Sequence, residues 1–437
     1  VIKKSFYLET YGCASNKADS YIISTVLKDV NYVQAPLDDA EFIIINTCGV
    51  KQQTENKIKR RLRNLYERYK EDLEKHLIIT GCLPHIAEGY VKIIEGIIPN
   101  YGAIIDLNKI QEIPKILSEV RDGNQNMIIK SVDPFDKSQF HIHYPQGKIT
   151  GIIPISEGCL GACTYCCVKN ARGRLNCYNP FSIIDNVKSQ LNQGIKQLYL
   201  TSQDCSTYDF KDINLADLIR NIVNLKEKFY LRVGMINPEF LVKELDQLIT
   251  IFNFDKVYKL FHMPLQSGSD SILKKMNRTY RIDPVVENLK ILKEKIPNLS
   301  FSTDMICGFP GETENDFNDT IQLVKKIKPQ ILNISKFTPR PGTKAKEMTQ
   351  INSKVIKERS LRLSHIFRDG MTDANVEWEG WKGEVLVLHP GEKKHQAFGR
   401  NIAYKNVFIE NYNRMFGKFV EVGIEKVDGF NLFGSLI

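Results

Sequence analysis

The chain has 437 residues, of which 42% are hydrophobic and 25% charged, and it carries a formal charge of +9. That length argues for two or three domains, and the composition excludes a disordered or fibrous chain. No apolar run is long enough to cross a bilayer, and VIKKSFYLETYGC runs straight into a strand pattern with no signal-peptide architecture. The expectation is a cytoplasmic protein without membrane contact. Ten cysteines in such a chain point to metal sites or catalysis, not to a disulfide framework. The excess positive charge permits a polyanionic partner such as RNA without requiring one.

The first segment alternates short apolar runs with helical patterns. KSFYLETYGC reads as a strand followed by a helix over 18–29, and EFIIINTCGV as a strand followed by a basic amphipathic helix over 57–70. HLIITGCLPH and YGAIIDLN read as a third and a fourth strand. Strands alternating with helices predict an α/β domain with a doubly wound parallel sheet over 1–123. Cys13, Cys48 and Cys82 each follow the apolar run of a different strand. In a parallel sheet those strand ends share one edge, where open α/β folds bind ligands. Any one buried cysteine reads as core, but three in equivalent positions predict a cluster site.

Residues 124–148 include PFDKSQFHIHYPQGK, rich in polar and turn residues, and read as a linker with a strand near its end. A second domain is expected over 149–370. It opens on GKITGIIPISEG and runs into SEGCLGACTYCCVKNARG, which spaces Cys159, Cys163 and Cys166 as C-x3-C-x2-C. Thiolates suit zinc or an iron–sulfur cluster. Three of them leave one iron of a four-iron cluster without a protein ligand, and an open metal position is where chemistry happens. A zinc knuckle short of one ligand is the plainer alternative. Strand patterns at IKQLYLTSQD, KFYLRVGMINP, KVYKLFHMPLQSGSD, LSFSTDMICGFPGE and QILNISKFTPRPG follow, separated by helix-length stretches. Six strand–helix units predict a partial (β/α)6 barrel whose sites lie just past the strands. Ser202, Gln203, Asp204, Asn237, Gln266, Ser267 and Asp304 fall there, although 266–270 also fits a turn before a helix N-cap. Residues 354–369 form a basic helical stretch, either a solvated face or a nucleic-acid contact. Short β runs with glycine-rich turns over 371–437 predict a small all-β barrel.

EGCLGACTYC resembles the CxxxCxΦC signature of the radical S-adenosylmethionine (SAM) enzymes, with Tyr165 at the aromatic position. The order of a three-cysteine domain, a radical SAM domain and a β-barrel resembling a TRAM domain is similar to the methylthiotransferases. YGCASNKADS, NTCGVKQQTE, GCLPH, KNARG, PLQSGSD, GFPGET and TPRPGT also resemble motifs of that family. The resemblance implies that Cys159, Cys163 and Cys166 hold the radical-generating 4Fe–4S cluster, and Cys13, Cys48 and Cys82 an auxiliary one. It implies SAM contacts from Tyr165, Ser202, Gln203, Asp204, Asn237 and Gln266. RNA contacts would come from Lys169, Arg172, Arg174, Arg340, Arg359 and Arg362, with further basic groups at Lys57, Lys59, Arg60, Arg61 and Arg63. No catalytic residue beyond the cluster ligands is implied.

In that family one SAM supplies a methyl group to a cluster-borne sulfur, and a second supplies the radical that takes hydrogen from an unreactive carbon. EGCLGACTYCCVKNARG, LYLTSQDCSTYD and LRVGMINP look most like the archaeal and eukaryotic branch. That branch converts N6-threonylcarbamoyladenosine next to the transfer RNA anticodon to its 2-methylthio derivative. The implied partners are a tRNA and an electron-donor protein, the chain being a monomer without a membrane anchor. The alternatives are methylthiolation of a ribosomal-protein aspartate, or a non-catalytic metal-containing RNA-binding protein. Cys167, Cys177, Cys205 and Cys307 have no implied role, and packing is their simplest reading.

Overall fold

The structure is a computed structural model and describes residues 4–131, 133–371, 375–412 and 414–437. The N-terminal strands are β1 (Ser5–Thr10), β2 (Val33–Gln34), β3 (Phe42–Thr47), β4 (His76–Gly81), β5 (Ala103–Ile105) and β6 (Met127–Ile129). They form one parallel sheet in the order β2-β1-β3-β4-β5-β6. Every residue of β3 is buried, as a sheet with both faces covered requires. Phe42 and Ile44 face one core with Ile22, Ile23 and Leu27 of helix α1 (Ala14–Asp29). Ile43 and Ile45 face the other with Ile58, Leu62 and Leu65 of α2 (Gln52–Tyr69). Both helices start earlier than expected, α1 directly after Cys13.

The segment 124–148 differs from its reading as a linker. Its start supplies β6, an edge strand paired with β5, and a 3-10 turn, Lys137–Gln139, packs near the helix Pro180–Asn192. Lys137 is buried there because Asp19 and Glu157 take its charge.

The central domain carries β7 (Thr150–Pro154), β8 (Ser156–Glu157), β9 (Asn176–Cys177), β10 (Gln197–Thr201), β11 (Asp209–Phe210), β12 (Ile213–Asn214), β13 (Tyr230–Arg232), β14 (Leu260–His262), β15 (Ser300–Cys307) and β16 (Ile331–Lys336). Six of these run parallel as β7-β10-β13 and β14-β15-β16. A parallel bridge between Leu231 and Val257 joins the two halves. The pleat sorts the side chains. Ile153, Leu198, Leu200 and Leu231 pack outward against helix residues such as Ile183, Val187 and Ile219, while Ile152, Tyr199 and Arg232, paired across the sheet, face the lumen.

The C-terminal strands β17 (Lys382–Pro390), β18 (Ala397–Asn401), β19 (Asn406–Ile409), β20 (Phe419–Asp428) and β21 (Asn431–Leu436) close a barrel in the order β17-β18-β19-β21-β20. The loop before β19 plugs the N-terminal end of the central barrel. Lys259 N–H donates to Ile402 O (2.8 Å), Ser300 Oγ to Ala403 O (2.8 Å), and the hydroxyls of Tyr199 and Tyr404 lie 2.6 Å apart.

Candidate metal centres

Strands β1, β3 and β4 are neighbours, so Cys13, Cys48 and Cys82 emerge side by side at the carboxyl edge of the N-terminal sheet. Gly12 makes the close approach possible: its φ is +119°, and a Cβ there would lie 3.0 Å from both Cys48 Cβ and Asn16 Cγ. Asn16 sits among the thiols. Its Oδ1 accepts from Cys13 Sγ (3.5 Å), Cys82 Sγ (3.8 Å) and Arg172 Nη2 (3.1 Å). Asn16 Nδ2 in turn donates to Thr47 O (2.8 Å), and Asn46 Nδ2 to Asn16 O (2.8 Å), which locks the amide in place. Cys13 caps α1 and is exposed, whereas Cys48 and Cys82 are buried. The partial positive charge of the α1 N-terminus therefore points at the trio and favours thiolates. Burial pushes the Cys48 thiol up and the Cys82 thiol up to about 11, the latter against the pull of Arg172.

The second trio lies on the loop between β8 and β9. Gly158 (φ +81°) lets the incoming chain pass Arg174, whose carbonyl oxygen would lie 2.0 Å from a Cβ. Gly161 N–H donates to Cys159 Sγ (3.2 Å) and Arg278 Nη1 to Cys163 Sγ (3.2 Å). Four bonds pin the loop to the barrel: Thr164 N–H to Met276 O (3.0 Å), Thr164 Oγ1 to Lys275 O (2.9 Å), Ala345 N–H to Thr164 O (2.9 Å) and Asn277 Nδ2 to Ala162 O (2.9 Å). Burial raises the Cys159 thiol, with the Gly161 amide opposing, and takes the Cys166 thiol up to about 12. Thiols held protonated in this way release protons when they take up a metal.

One side chain joins the two sites. Gln203 Oε1 accepts from Gly158 N–H (2.7 Å), next to Cys159, and its Nε2 donates to Ser15 Oγ (3.4 Å), two residues after Cys13. Ser15 Oγ also lies 3.4 Å from Thr201 Oγ1 at the end of β10. Beside this bridge is a cavity of about 680 Å3, lined among others by Cys13, Lys17, Ile152, Tyr199 and Arg232. All ten cysteines are free. Among the described residues no three His, Cys, Asp or Glu side chains converge on a single ion. A four-iron cube makes no such demand, since each thiolate takes a different iron, and donors already aimed at Cys159, Cys163 and Cys82 suit sulfur that carries negative charge. The residues present fit such clusters.

The remaining expected residues have mixed placements. Tyr165 packs edge-on to Phe309, with ring centroids 6.3 Å apart. Ser202 Oγ accepts from Asp204 N–H (3.0 Å), and burial raises the Asp204 carboxyl despite bonds from Ser206. Asn237 caps the helix Pro238–Lys243 and accepts from Arg278 Nη2 (3.2 Å). Gln266 is held in the left-handed region (φ +68°) by backbone bonds to β15 at the barrel rim, a conformation non-glycine residues keep only under constraint.

Three RNA-contact expectations are corrected. Arg172, Arg340 and Arg359 are only 7%, 4% and 6% exposed. Their charges are used inside the protein, by Asp19 and Glu157, by Glu55, and by Glu312 respectively. Arg174 is exposed, Lys169 and Arg362 are half-buried, and Arg362 pairs with Glu314. Cys167 is buried against the N-terminal domain, and its Sγ donates to Gly49 O (3.4 Å). Cys205 and Cys307 lie in the barrel core.

Sequence reasoning missed Arg278, which nothing in NRTYR distinguishes from a surface arginine. It also missed the part played by Asn16 and Asp19, which lie within the YGCASNKADS motif.

Comparison with known proteins places this geometry. Residues 153–324 match the radical SAM superfamily, 5–97 the uncharacterized protein family UPF0004, and 379–437 the TRAM domain. The first of these carries SAM and a 4Fe–4S cluster with it. Solved structures share the fold. That of the radical SAM methyltransferase TsrM from Kitasatospora setae, with cobalamin and a 4Fe–4S cluster bound, has a TM-score of 0.57 at 14% identity, over 79% of this chain and 77% of that one. The cobalamin-dependent enzyme OxsB follows at a TM-score of 0.54 and 11% identity, over 84% and 56%.

Whole-length relatives are more informative. A probable threonylcarbamoyladenosine tRNA methylthiotransferase of Pyrococcus horikoshii is 36% identical over 99% of both chains. The human threonylcarbamoyladenosine tRNA methylthiotransferase is 32% identical over 96% of this chain and 72% of its own. With relatives of that name matching 99% and 96% of its length at more than 30% identity, the chain belongs to the threonylcarbamoyladenosine tRNA methylthiotransferase family.

Proposed function

We propose that this enzyme converts N6-threonylcarbamoyladenosine beside the anticodon of a cytoplasmic tRNA to its 2-methylthio derivative. It would act as a monomer fed by an electron-donor protein, with a 4Fe–4S cluster on each cysteine trio. The observation that carries the reading is the Gln203 bridge, which ties the loop of Cys159 to the helix start after Cys13, beside the chamber that Cys13 lines. When bound, the clusters and SAM supply radical hydrogen abstraction, the sulfur and the methyl group.

The chain's own groups do the positioning. Arg278 is steadied by Asn237 and holds the Cys163 sulfur. Asn16 and Arg172 hold the sulfur of Cys82. Ser202 and Gln266 stand half-buried at the polar rim past the strands, available to SAM, while Asp204 is buried there and holds Ser206. The plug formed by the C-terminal barrel excludes bulk water from the far end of the lumen. Exposed Lys57, Arg60 and Arg63 on α2, together with Arg174, offer charge to the tRNA backbone.

Anaerobic reconstitution followed by incubation with tRNA tests the reading. About eight irons per chain and a methylthio group on threonylcarbamoyladenosine, seen by nucleoside mass spectrometry, are expected. Zinc in place of iron, or product on a ribosomal protein alone, overturns it.

A further inference from the structure

Arg232 is the last residue of β13 and faces the barrel lumen, paired across the sheet with Tyr199 of β10. Its guanidinium carbon lies 5.0 Å from the ring centroid of Tyr199 and 5.3 Å from that of Tyr404. Those two rings are fixed by the contact between their hydroxyls. Flat aromatic faces hold an arginine's plane and orientation while leaving its N–H edge free.

What is missing around Arg232 is an anion. Its Nε is buried without a hydrogen-bond partner. Among the described residues, no carboxylate lies within ion-pairing distance of its nitrogens, although Arg172, Arg340 and Arg359 each have one. The cavity that Arg232 lines has Lys17, Lys28 and Lys148 in its wall and no aspartate or glutamate. Cys13 lines the same cavity. A half-buried cation kept without a counter-ion is costly, and the cost is recovered when a ligand brings the anion.

Of the nucleobase substituents that the proposed activity involves, the threonylcarbamoyl group carries a carboxylate. Planar bidentate pairing is how arginine recognises that group. We propose that Arg232 binds the carboxylate of the substrate's threonylcarbamoyl side chain and is the residue by which this enzyme tells that nucleoside from adenosines lacking the acid. The inference rests on the proposed function. It makes the arginine the specificity determinant, with Tyr199 and Tyr404 as its supports and Cys13 beside the bound nucleoside. SAM also bears a carboxylate, so the test separates the two sources.

The experiment measures binding to the reconstituted full-length enzyme of three anticodon stem-loop RNAs. One carries N6-threonylcarbamoyladenosine, one its methyl ester and one unmodified adenosine. SAM affinity and SAM cleavage without RNA are measured alongside. The wild type should prefer the free acid to the ester by about ten- to a hundredfold, as expected for a charge-assisted pair. Arg232→Gln should lose that preference and bind all three RNAs about as the wild type binds the ester. Arg232→Lys should keep part of it. SAM affinity and RNA-free cleavage should be unchanged in both variants, which also shows that they fold.

A preference for the acid that persists in Arg232→Gln overturns the inference while leaving the proposed function standing. So does a matching loss of SAM affinity, which would assign the arginine to the cofactor. A wild type that fails to methylthiolate the threonylcarbamoyl RNA overturns both.

Discussion

Arg172 Nε donates to Cys82 Sγ at 3.2 Å, so the helix that follows the central cysteine loop holds a sulfur of the N-terminal trio. The same guanidinium bonds Glu157 (2.5 Å) and Asp19 (2.7 Å), and Lys137 completes a buried set of two cations and two carboxylates. Removing one member leaves uncompensated charge. Arg172→Ala is expected to cost about 3–5 kcal/mol of stability, measured by denaturant unfolding of the metal-free chain. Arg172→Lys keeps a charge but not the planar fork. It should shift the midpoint potential of the cluster at Cys13, Cys48 and Cys82 to a lower value and leave the other cluster's unchanged, because hydrogen bonds to sulfur stabilise the reduced state. Redox titration followed by electron paramagnetic resonance reads both, and equal shifts at the two clusters would contradict the assignment.

A second buried pair joins the domains and makes their docking sensitive to acid. Arg340 Nη2 lies 2.7 Å from Glu55 Oε2, and Lys59 (2.6 Å) and the Tyr90 hydroxyl share the same carboxylate. Burial by itself would raise the Glu55 carboxyl, but the bonds from Lys59, Tyr90 and Arg340 together hold it below its ordinary 4.5. A depressed carboxyl contributes stability above its unfolded value and loses it as pH falls through the folded one. Urea midpoints should therefore decline as pH drops below about 4.5. Glu55→Gln should start lower at neutral pH and show a shallower decline. An unchanged slope in the variant counts against the pair.

Gln203 touches both cysteine loops, so its loss should affect their coordination more than either site alone. Gln203→Ala leaves the Gly158 N–H without its partner, worth about 1–3 kcal/mol, and breaks the link to Ser15. More SAM cleaved per methylthio group inserted is the expected result, from product-to-cleavage ratios. Ser15→Ala, which keeps the Gly158 bond, should show a smaller rise. Proportionate loss of cleavage and insertion would mean that Gln203 serves the central loop only.

Substituting alanine at Cys13, Cys48 and Cys82 should lower bound iron from about eight to about four per chain, spare SAM cleavage and end sulfur insertion. Alanine at Cys159, Cys163 and Cys166 should abolish cleavage. Cys167→Ala should leave iron content unchanged, since its thiol is engaged by Gly49 O. Iron analysis and cleavage assays check all three, and a drop in iron for Cys167→Ala would make it a ligand.

The six cysteines were legible without a structure because two local rules place them. Parallel strands end on one edge, which gathers Cys13, Cys48 and Cys82, and the C-x3-C-x2-C spacing keeps Cys159, Cys163 and Cys166 on one loop. The three-part architecture followed from the period of the apolar residues in the same way.

The destination of the charges was not local. Arg172 reads in sequence as part of a basic run, yet it is buried because Asp19, 153 residues away, faces it. Arg340 and Arg359 go the same way, and Lys137 turns an expected linker into part of the core. Arg232 is the reverse case, an ordinary strand residue by pattern that tertiary packing stacks on two tyrosines and leaves, among the described residues, without a counter-ion. Spacing along the chain determined which sulfurs meet. Only the packing of three domains decided which cations are neutralised inside and which are left to face the chamber, because an ion pair depends on distance in space and not on separation in sequence.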